Sequence, residues 1–151
     1  MTDHNSITVE KWGMFEQRFQ GPSKGNPFVD VKFDVQFTFD GEDFVKVSGF
    51  YDGNGEYVVR FMPEKLGVWR YQTISNAEEL NNICGLFTCV ENSQDNHGPV
   101  KVYKQYHFAY ADGKIYYPFG TTCYAWIHQS QNLQELTLKT LSESCYNKLR
   151  M

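Results

Sequence analysis

Residues 28–39 read FVDVKFDVQFTF and alternate apolar with polar side chains along their whole length. Because successive side chains of a β-strand point to opposite faces, a period of two predicts a strand with one buried and one solvated face. The apolar face carries Val29, Val31, Phe33, Val35, Phe37 and Phe39. We therefore expect an antiparallel strand in which Phe33, Val35 and Phe37 are buried.

The chain after this strand repeats the same pattern. Asp40 and Gly41 form a turn signal, since both residue types tolerate the positive φ that tight hairpins require, and a returning strand begins at residues 44–47. Further turn signals separate more short strands, which we place at residues 57–62, 68–74 and 85–91. Short strands at this spacing are typical of a β-sandwich or a small barrel.

The pattern changes at residues 92–99, NSQDNHGP, which are polar and rich in turn formers. We interpret this stretch as a linker or exposed loop and expect two parts, a β-sandwich over residues 1–97 and a second region over residues 98–151.

The second region contains a different set of elements. A hairpin is predicted around Asp112 and Gly113, and its later strand runs into a loop over residues 122–131. A helix follows, with Asn132 as its expected N-cap, Glu135 three residues later, and one stripe of Leu133, Leu136, Thr137, Thr140 and Leu141. Residues 147–151 then predict another strand. Strand, loop, helix and strand form a β-α-β unit, which by itself cannot cover a parallel sheet, so we expect only the beginning of a larger β/α domain.

Composition excludes several classes of protein. The 151 residues are 41% hydrophobic and 17% aromatic, enough for one good core, and the net charge of −4 is spread along the chain, so no nucleic-acid partner is expected. No stretch approaches the roughly 20 apolar residues that span a bilayer, and the N-terminus resembles no signal peptide. We expect no membrane partner and a cytoplasmic protein, or a secreted one if a signal peptide was removed.

Cysteine and histidine spacing predicts neither a disulfide nor a metal site. Cys84, Cys89, Cys123 and Cys145 stand singly in apolar or aromatic surroundings, so we interpret them as reduced thiols. The histidines are scattered rather than paired with one another or with cysteines. No metal and no cofactor are predicted.

Several sequence blocks resemble a known family. The first-half blocks are VEKWGMFE (9–16), NPF (26–28), GFYDGNG (49–55), YVVRFMP (57–63) and GVW (67–69). The second-half blocks are HFAYADG (107–113), GTTCYAW (120–126) and NKLRM (147–151). The first half is similar to the immunoglobulin-like N-terminal domain of apiosidase-like glycoside hydrolases, and the second half to the start of the β/α-barrel that follows it.

The resemblance implies that catalysis resides outside this sequence. Glycoside hydrolysis needs two carboxyl groups, which in such barrels lie on later strands, so no catalytic residue is assigned and the chain alone should be inactive. Its own carboxylates have structural explanations, because Asp112 lies in a turn and Glu135 and Glu143 lie near helix ends. The expected role is that of a non-catalytic accessory domain and barrel fragment of an enzyme that cleaves complex glycans.

The loop after the first barrel strand lies on the face where such active sites form. Its hydroxyl, aromatic and imidazole groups suit sugar binding, and the candidate substrate-binding residues are Thr121, Thr122, Tyr124, Trp126 and His128. The alternative for Tyr124, Trp126 and His128 is packing between domains. In the full-length parent we expect carbohydrate as ligand and an intramolecular contact with the catalytic barrel.

Two other functions remain open. An independent carbohydrate-binding module would present Trp12, Trp69 and Tyr71 as an exposed flat platform, although the alternation around Trp69 and Tyr71 favours core packing. Phe50 and Tyr51, beside the turn at residues 52–55, have the same two interpretations. A structural or oligomerising immunoglobulin-like domain would expose a large apolar patch instead.

Overall fold

The computed structural model describes residues 7–41 and 44–151 and is mainly β. The chain divides into two compact units, Met1–Pro99 and Val100–Met151. The strands of the first unit are β1 (Thr8–Glu10), β2 (Phe15–Gln20), β3 (Phe33–Phe39), β4 (Val45–Ser48), β5 (Phe50–Gly53), β6 (Glu56–Phe61), β7 (Gly67–Ser75) and β8 (Cys84–Val90). A short helix, α1 (Pro27–Asp30), and a 3₁₀ helix at Glu78–Leu80 complete it.

The strands of the first unit form two sheets. One contains five strands in the order β1-β8-β7-β3-β4, and the other contains three in the order β2-β6-β5. Neighbouring strands are antiparallel except β1, which lies parallel to β8. This parallel edge differs from our expectation of a wholly antiparallel arrangement, and it arises because β1 adds to the sheet beside a strand almost 80 residues away.

The two sheets share one aromatic core. Phe15 of the smaller sheet stacks on Phe87 of the larger sheet with ring centres 4.1 Å apart, and Phe37 stacks on Phe61 at the same distance. Phe33, Val35 and Phe37 are all buried, which confirms the predicted inward face of β3. Alternation of side chains along β3 therefore places its polar residues on the opposite, solvated face.

The start of the alternating stretch is not a strand. Residues Pro27–Asp30 form α1, and Phe28 and Val29 are exposed, so the predicted strand begins at Phe33 instead of residue 28. Pro27 occupies the first turn, where its fixed φ and missing N–H favour a helix start. The Asp30 carboxylate accepts a hydrogen bond from the backbone N–H of Asn26 at 2.8 Å. These local contacts outweigh the period-two pattern over four residues.

Residues 92–99, interpreted above as a linker or exposed loop, are anchored by a carboxylate. Glu10 accepts hydrogen bonds from the backbone N–H of Ser93 at 2.7 Å and from the side-chain amide of Asn96 at 2.8 Å. The Asn96 amide also donates to the Lys11 carbonyl at 3.2 Å. The Ser93 N–H, followed by the Asn96 amide, lowers the pKa of Glu10 below its ordinary value of 4.5.

We expect acid or the substitution Glu10→Gln to release this segment. The two bonds go to different carboxylate oxygens, and glutamine replaces one of these acceptors with an NH2 donor, so one of the two bonds is lost in this geometry. Because the folded-state pKa is depressed, the carboxylate stabilises the fold above pH 4.5, and this contribution is lost as the pH falls through the folded-state pKa. Hydrogen exchange at the Ser93 amide should be faster in Glu10→Gln. The exposed neighbour Glu91→Gln serves as control, and equal exchange in the two variants would contradict the anchoring.

The second unit contains two small sheets. Strands β9 (Val100–Tyr103), β10 (His107–Tyr110) and β11 (Ile115–Tyr116) form an antiparallel sheet, which includes the predicted hairpin at Asp112 and Gly113. Strands β12 (Gly120–Thr122) and β13 (Lys148–Arg150) pair in parallel. Between them lie a 3₁₀ helix at Trp126–His128 and the helix α2 (Gln131–Ser142). The predicted β-α-β order is therefore present, and no sheet of the described residues closes on itself.

Helix α2 begins two residues earlier than its predicted cap allows. Ser130 is the N-cap, and its carbonyl accepts the N–H groups of Leu133 and Gln134, so the prediction of Asn132 as N-cap is wrong. The half-buried side of the helix carries Gln134, Thr137 and Leu141, whereas Leu133 and Leu136 are exposed. Across residues 7–41 and 44–151, no helix is long and apolar enough to cross a membrane.

Candidate functional site

The candidate site lies where β12 and β13 end. Thr121 pairs with Leu149 and Thr122 with Arg150, so both strands finish at the same edge of the parallel pair. The N–H of Cys123 donates to the Arg150 carbonyl at 2.8 Å and extends the ladder by one bond. Carboxyl-terminal edges of parallel strands are the usual position of active-site loops in β/α domains.

The loop after β12 has a defined backbone. Ala125 adopts a left-handed conformation with φ of 54°, and it is followed by the 3₁₀ turn of Trp126–His128. The N–H groups of His128 and Gln129 donate to the carbonyls of Ala125 and Trp126 at 3.0 and 3.1 Å. These backbone N–H groups therefore find their hydrogen-bond acceptors within the loop and need none from a neighbouring strand.

Gln134 of α2 connects the helix to this loop. Its side-chain amide donates to the carbonyls of Ile127 at 3.2 Å and Gln129 at 2.9 Å, and its backbone carbonyl accepts the indole N–H of Trp126 at 3.3 Å. The position of the Trp126 ring is therefore set by the first turn of the helix. The sequence did not indicate this role of Gln134, because no local pattern shows that an isolated polar residue on a helix hydrogen-bonds a neighbouring loop.

The five predicted substrate-binding residues are only partly brought together. A groove of about 340 Å³ is lined by Thr121 and Thr122, together with Pro118, Gly120, Lys148 and Arg150. Tyr124, Trp126 and His128 belong to the adjoining loop and do not line this groove. Tyr124 and His128 are exposed, whereas Trp126 is half-buried.

Two basic residues at this edge were missed from the sequence. Lys148 and Arg150 line the groove, and the Arg150 guanidinium lies 5.4 Å from the centre of the Tyr124 ring, within cation–π range. The signal was available, because residues two apart on a strand share a face. Their position beside Thr121 and Thr122 depends on the parallel register, which no local pattern gives.

The carboxylates of the second unit occupy structural positions. Asp112 accepts the Lys114 N–H at 2.9 Å in its turn, and Glu135 accepts the side-chain amide of Gln131 at 2.8 Å along the helix. Glu143 is the C-cap residue of α2. The described residues also contain no cluster of His, Cys, Asp and Glu suited to a metal ion, and all four cysteines are free thiols.

The aromatic residues considered as a sugar platform in the first unit are largely internal. Trp69 is 5% exposed and donates its indole N–H to the Lys65 carbonyl, and Tyr71 packs against the core with Phe15 and Phe37. Burial accordingly raises the pKa of Tyr71. Trp69 and Tyr71 therefore do not form an exposed platform.

Three other aromatic residues of the first unit have specific contacts. Trp12 is half-buried, and the Lys11 ammonium lies 4.4 Å from the centre of its ring. The hydroxyl of Tyr51 accepts the Gly55 N–H at 3.1 Å, and its ring packs against the core, which favours turn packing for this residue. Phe50 remains exposed beneath the Arg60 guanidinium.

Comparisons with known proteins give a family model for part of the chain and a similar solved structure. A model of a domain of unknown function, DUF5060, matches residues 8–76. A crystal structure of a putative glycoside hydrolase from Bacteroides vulgatus is 45% identical, with a TM-score of 0.87, over 97% of this chain. No curated protein matches the chain. The chain spans 28% of the length of the Bacteroides vulgatus protein, so the likeness concerns a little over a quarter of that molecule.

Proposed function

We propose that this chain is a non-catalytic part of a glycoside hydrolase that cleaves glycosidic bonds in complex glycans. The observation that carries the proposal is the 45% identity, over 97% of the chain, to a protein described as a putative glycoside hydrolase. Likeness at this level over both units supports a shared architecture. The two-sheet unit is then an immunoglobulin-like accessory domain of the apiosidase-like family, at residues 1–97.

The second unit, at residues 98–151, is proposed as the opening of the catalytic β/α-barrel. Its parallel pair β12 and β13, joined through α2, has the connection from which such barrels are built. Two strands leave most of a parallel sheet unformed, and the exposed leucines of α2 are consistent with further partners in a larger domain. We also propose that the immunoglobulin-like domain contacts this barrel within the same molecule.

The loop after β12 is proposed to contact the sugar. Tyr124 offers an apolar ring face to sugar C–H groups, while Thr122 and His128 offer polar groups to ring hydroxyls. The indole N–H of Trp126 donates to the Gln134 carbonyl, so this residue offers the sugar an apolar ring at a fixed position and no free N–H donor. Thr121 completes the set on the groove side.

Hydrolysis is assigned to the remainder of such an enzyme. A glycosidase needs two carboxyl groups placed on either side of the scissile bond. Asp112 accepts a turn hydrogen bond, Glu135 bonds Gln131 within α2, and Glu143 is the C-cap of α2, which argues against a catalytic pair among them. The chain alone is therefore expected to release no sugar from aryl glycosides or polymeric glycans.

The test uses the chain alone and a chimera in which it replaces the matching segment of the Bacteroides vulgatus protein. The chimera should hydrolyse glycans in a reducing-sugar assay, and the chain should not. Tyr124→Ala in the chimera should lower kcat/KM about tenfold, the change that corresponds to about 1.4 kcal/mol of transition-state stabilisation. Tyr106→Ala is a matched control, since Tyr106 is also an exposed tyrosine but lies before β10.

Three outcomes would contradict the proposal. Turnover by the homogeneous chain would assign catalysis to residues within it. A folded chimera without activity on any glycan would contradict the proposal that this chain is part of a glycosidase. Equal activities of the Tyr124→Ala and Tyr106→Ala chimeras would show that the loop after β12 does not bind the substrate.

A further inference from the structure

One face of the parallel pair β12–β13 carries two cationic side chains side by side. In the observed register Gly120 lies next to Lys148 and Thr122 next to Arg150, whereas Thr121 and Leu149 point to the other face. Lys148 and Arg150 are therefore neighbours on one face, and both are exposed. The two cations share this face because they lie two residues apart on β13, whereas the parallel register places Gly120 and Thr122 beside them.

Gly120 allows the two strands to approach closely at the base of this face. A Cβ atom at Gly120 would lie 2.8 Å from the Lys148 carbonyl oxygen and 3.1 Å from the Lys148 Cβ. Only glycine therefore leaves the groove open beside Lys148. The result is a concavity of about 340 Å³ whose lining contains Thr122 and two cations but no carboxylate.

The charges around the groove favour an anion. Residues 100–151 contain six Lys and Arg against three Asp and Glu, although the whole chain has a net charge of −4. Within the described part of the chain, neither Lys148 nor Arg150 takes part in an ion pair. Both cations are therefore available to a ligand.

The geometry of Arg150 favours a planar anion. Its guanidinium lies 5.4 Å from the centre of the Tyr124 ring, a contact that restricts the side chain. A planar guanidinium presents paired N–H donors that match the two oxygens of a carboxylate, while Lys148 adds a point charge and Thr122 a hydroxyl donor. We propose that Thr122, Lys148 and Arg150 form a carboxylate-binding site.

This site rests on the proposed function, because the edge where it lies is an active-site edge only if the second unit belongs to a β/α-barrel. The carboxylate has two possible sources, a uronic acid unit of the glycan or the side chain of an aspartate or glutamate of the enzyme. The first source makes Arg150 a specificity-determining residue for acidic glycans. The second makes it a positioning residue for a protein carboxylate.

The experiment titrates the isotope-labelled 151-residue chain with three probes and follows backbone amide NMR signals. D-glucuronate represents the sugar, N-acetyl-L-glutamate amide represents a protein side chain, and D-glucose is the neutral control. We expect at least one acid to shift the signals of Thr122, Cys123 and Arg150 while D-glucose leaves them unchanged. Arg150→Gln should weaken that binding about fivefold, the effect typical of an exposed charged pair.

The outcomes separate the two sources and can overturn the site. Tighter binding of D-glucuronate identifies the sugar, and tighter or equal binding of the glutamate derivative identifies a protein carboxylate. Lys139→Gln is the matched control, because it removes the same charge from α2 in the same unit. No response to either acid, equal shifts with D-glucose, or equal affinities of Arg150→Gln and Lys139→Gln would refute the proposal. None of these readouts requires hydrolysis, so the proposed function can fail independently in the chimera assay.

Discussion

Phe37→Ala should destabilise the two-sheet unit by about 3–5 kcal/mol, the cost of removing a buried aromatic ring and leaving a cavity. Phe37 is fully buried and packs its ring against Phe15, Phe61 and Phe87, which come from both sheets. A domain of this size is stable by about 5–15 kcal/mol, so the loss is a large share of the total. Urea unfolding followed by the fluorescence of the buried Trp69 should show a lower midpoint.

The matched control for this variant is Phe44→Ala. Phe44 is 56% exposed, and a surface substitution of this kind usually changes stability by less than about 0.5 kcal/mol. Similar midpoints for the two variants would mean that the inward face of β3 does not carry the core.

Gly49→Ala is the second substitution with a large expected effect, because Gly49 lies where the chain crosses from one sheet to the other. It separates β4 of the five-stranded sheet from β5 of the three-stranded sheet, and its N–H donates to the Phe33 carbonyl at 2.9 Å. An added Cβ would meet the Phe33 ring at 2.3 Å and the Val58 carbonyl oxygen at 2.9 Å. Overpacking of this kind costs about 1–3 kcal/mol, measurable in the same urea experiment.

A double variant identifies the cause of that loss. If the Phe33 ring is the obstacle, Phe33→Leu should reduce the additional cost of Gly49→Ala, so that the two changes are not additive. Strict additivity would show that the crossover backbone, rather than the ring, resists the new methyl group. Both results follow from the free energies of unfolding of the unmodified chain, the two single variants and the double variant.

Side-chain periodicity by itself predicted the elements that depend on local chemistry. The alternation in residues 33–39 established which side chains of β3 are buried, and the Asp-Gly signals located the turns after β3, after β5 and after β10. The apolar spacing after Ser130 was sufficient for α2, although it did not identify the N-cap. These patterns succeed because strand and helix periods are properties of neighbouring residues.

Long-range pairing was decided only by the tertiary structure. The parallel contact of β1 with β8, the attachment of residues 92–99 to Glu10, and the link from Gln134 to the loop after β12 all join groups that no local pattern relates. The candidate site shows the same division. The sequence located Thr121 and Thr122 at the end of a strand, but the parallel register placed Lys148 and Arg150 beside them. A register is chosen by the energy of the whole sheet, whose partners here lie almost 30 residues apart in the chain, and it therefore appears only once the chain is folded.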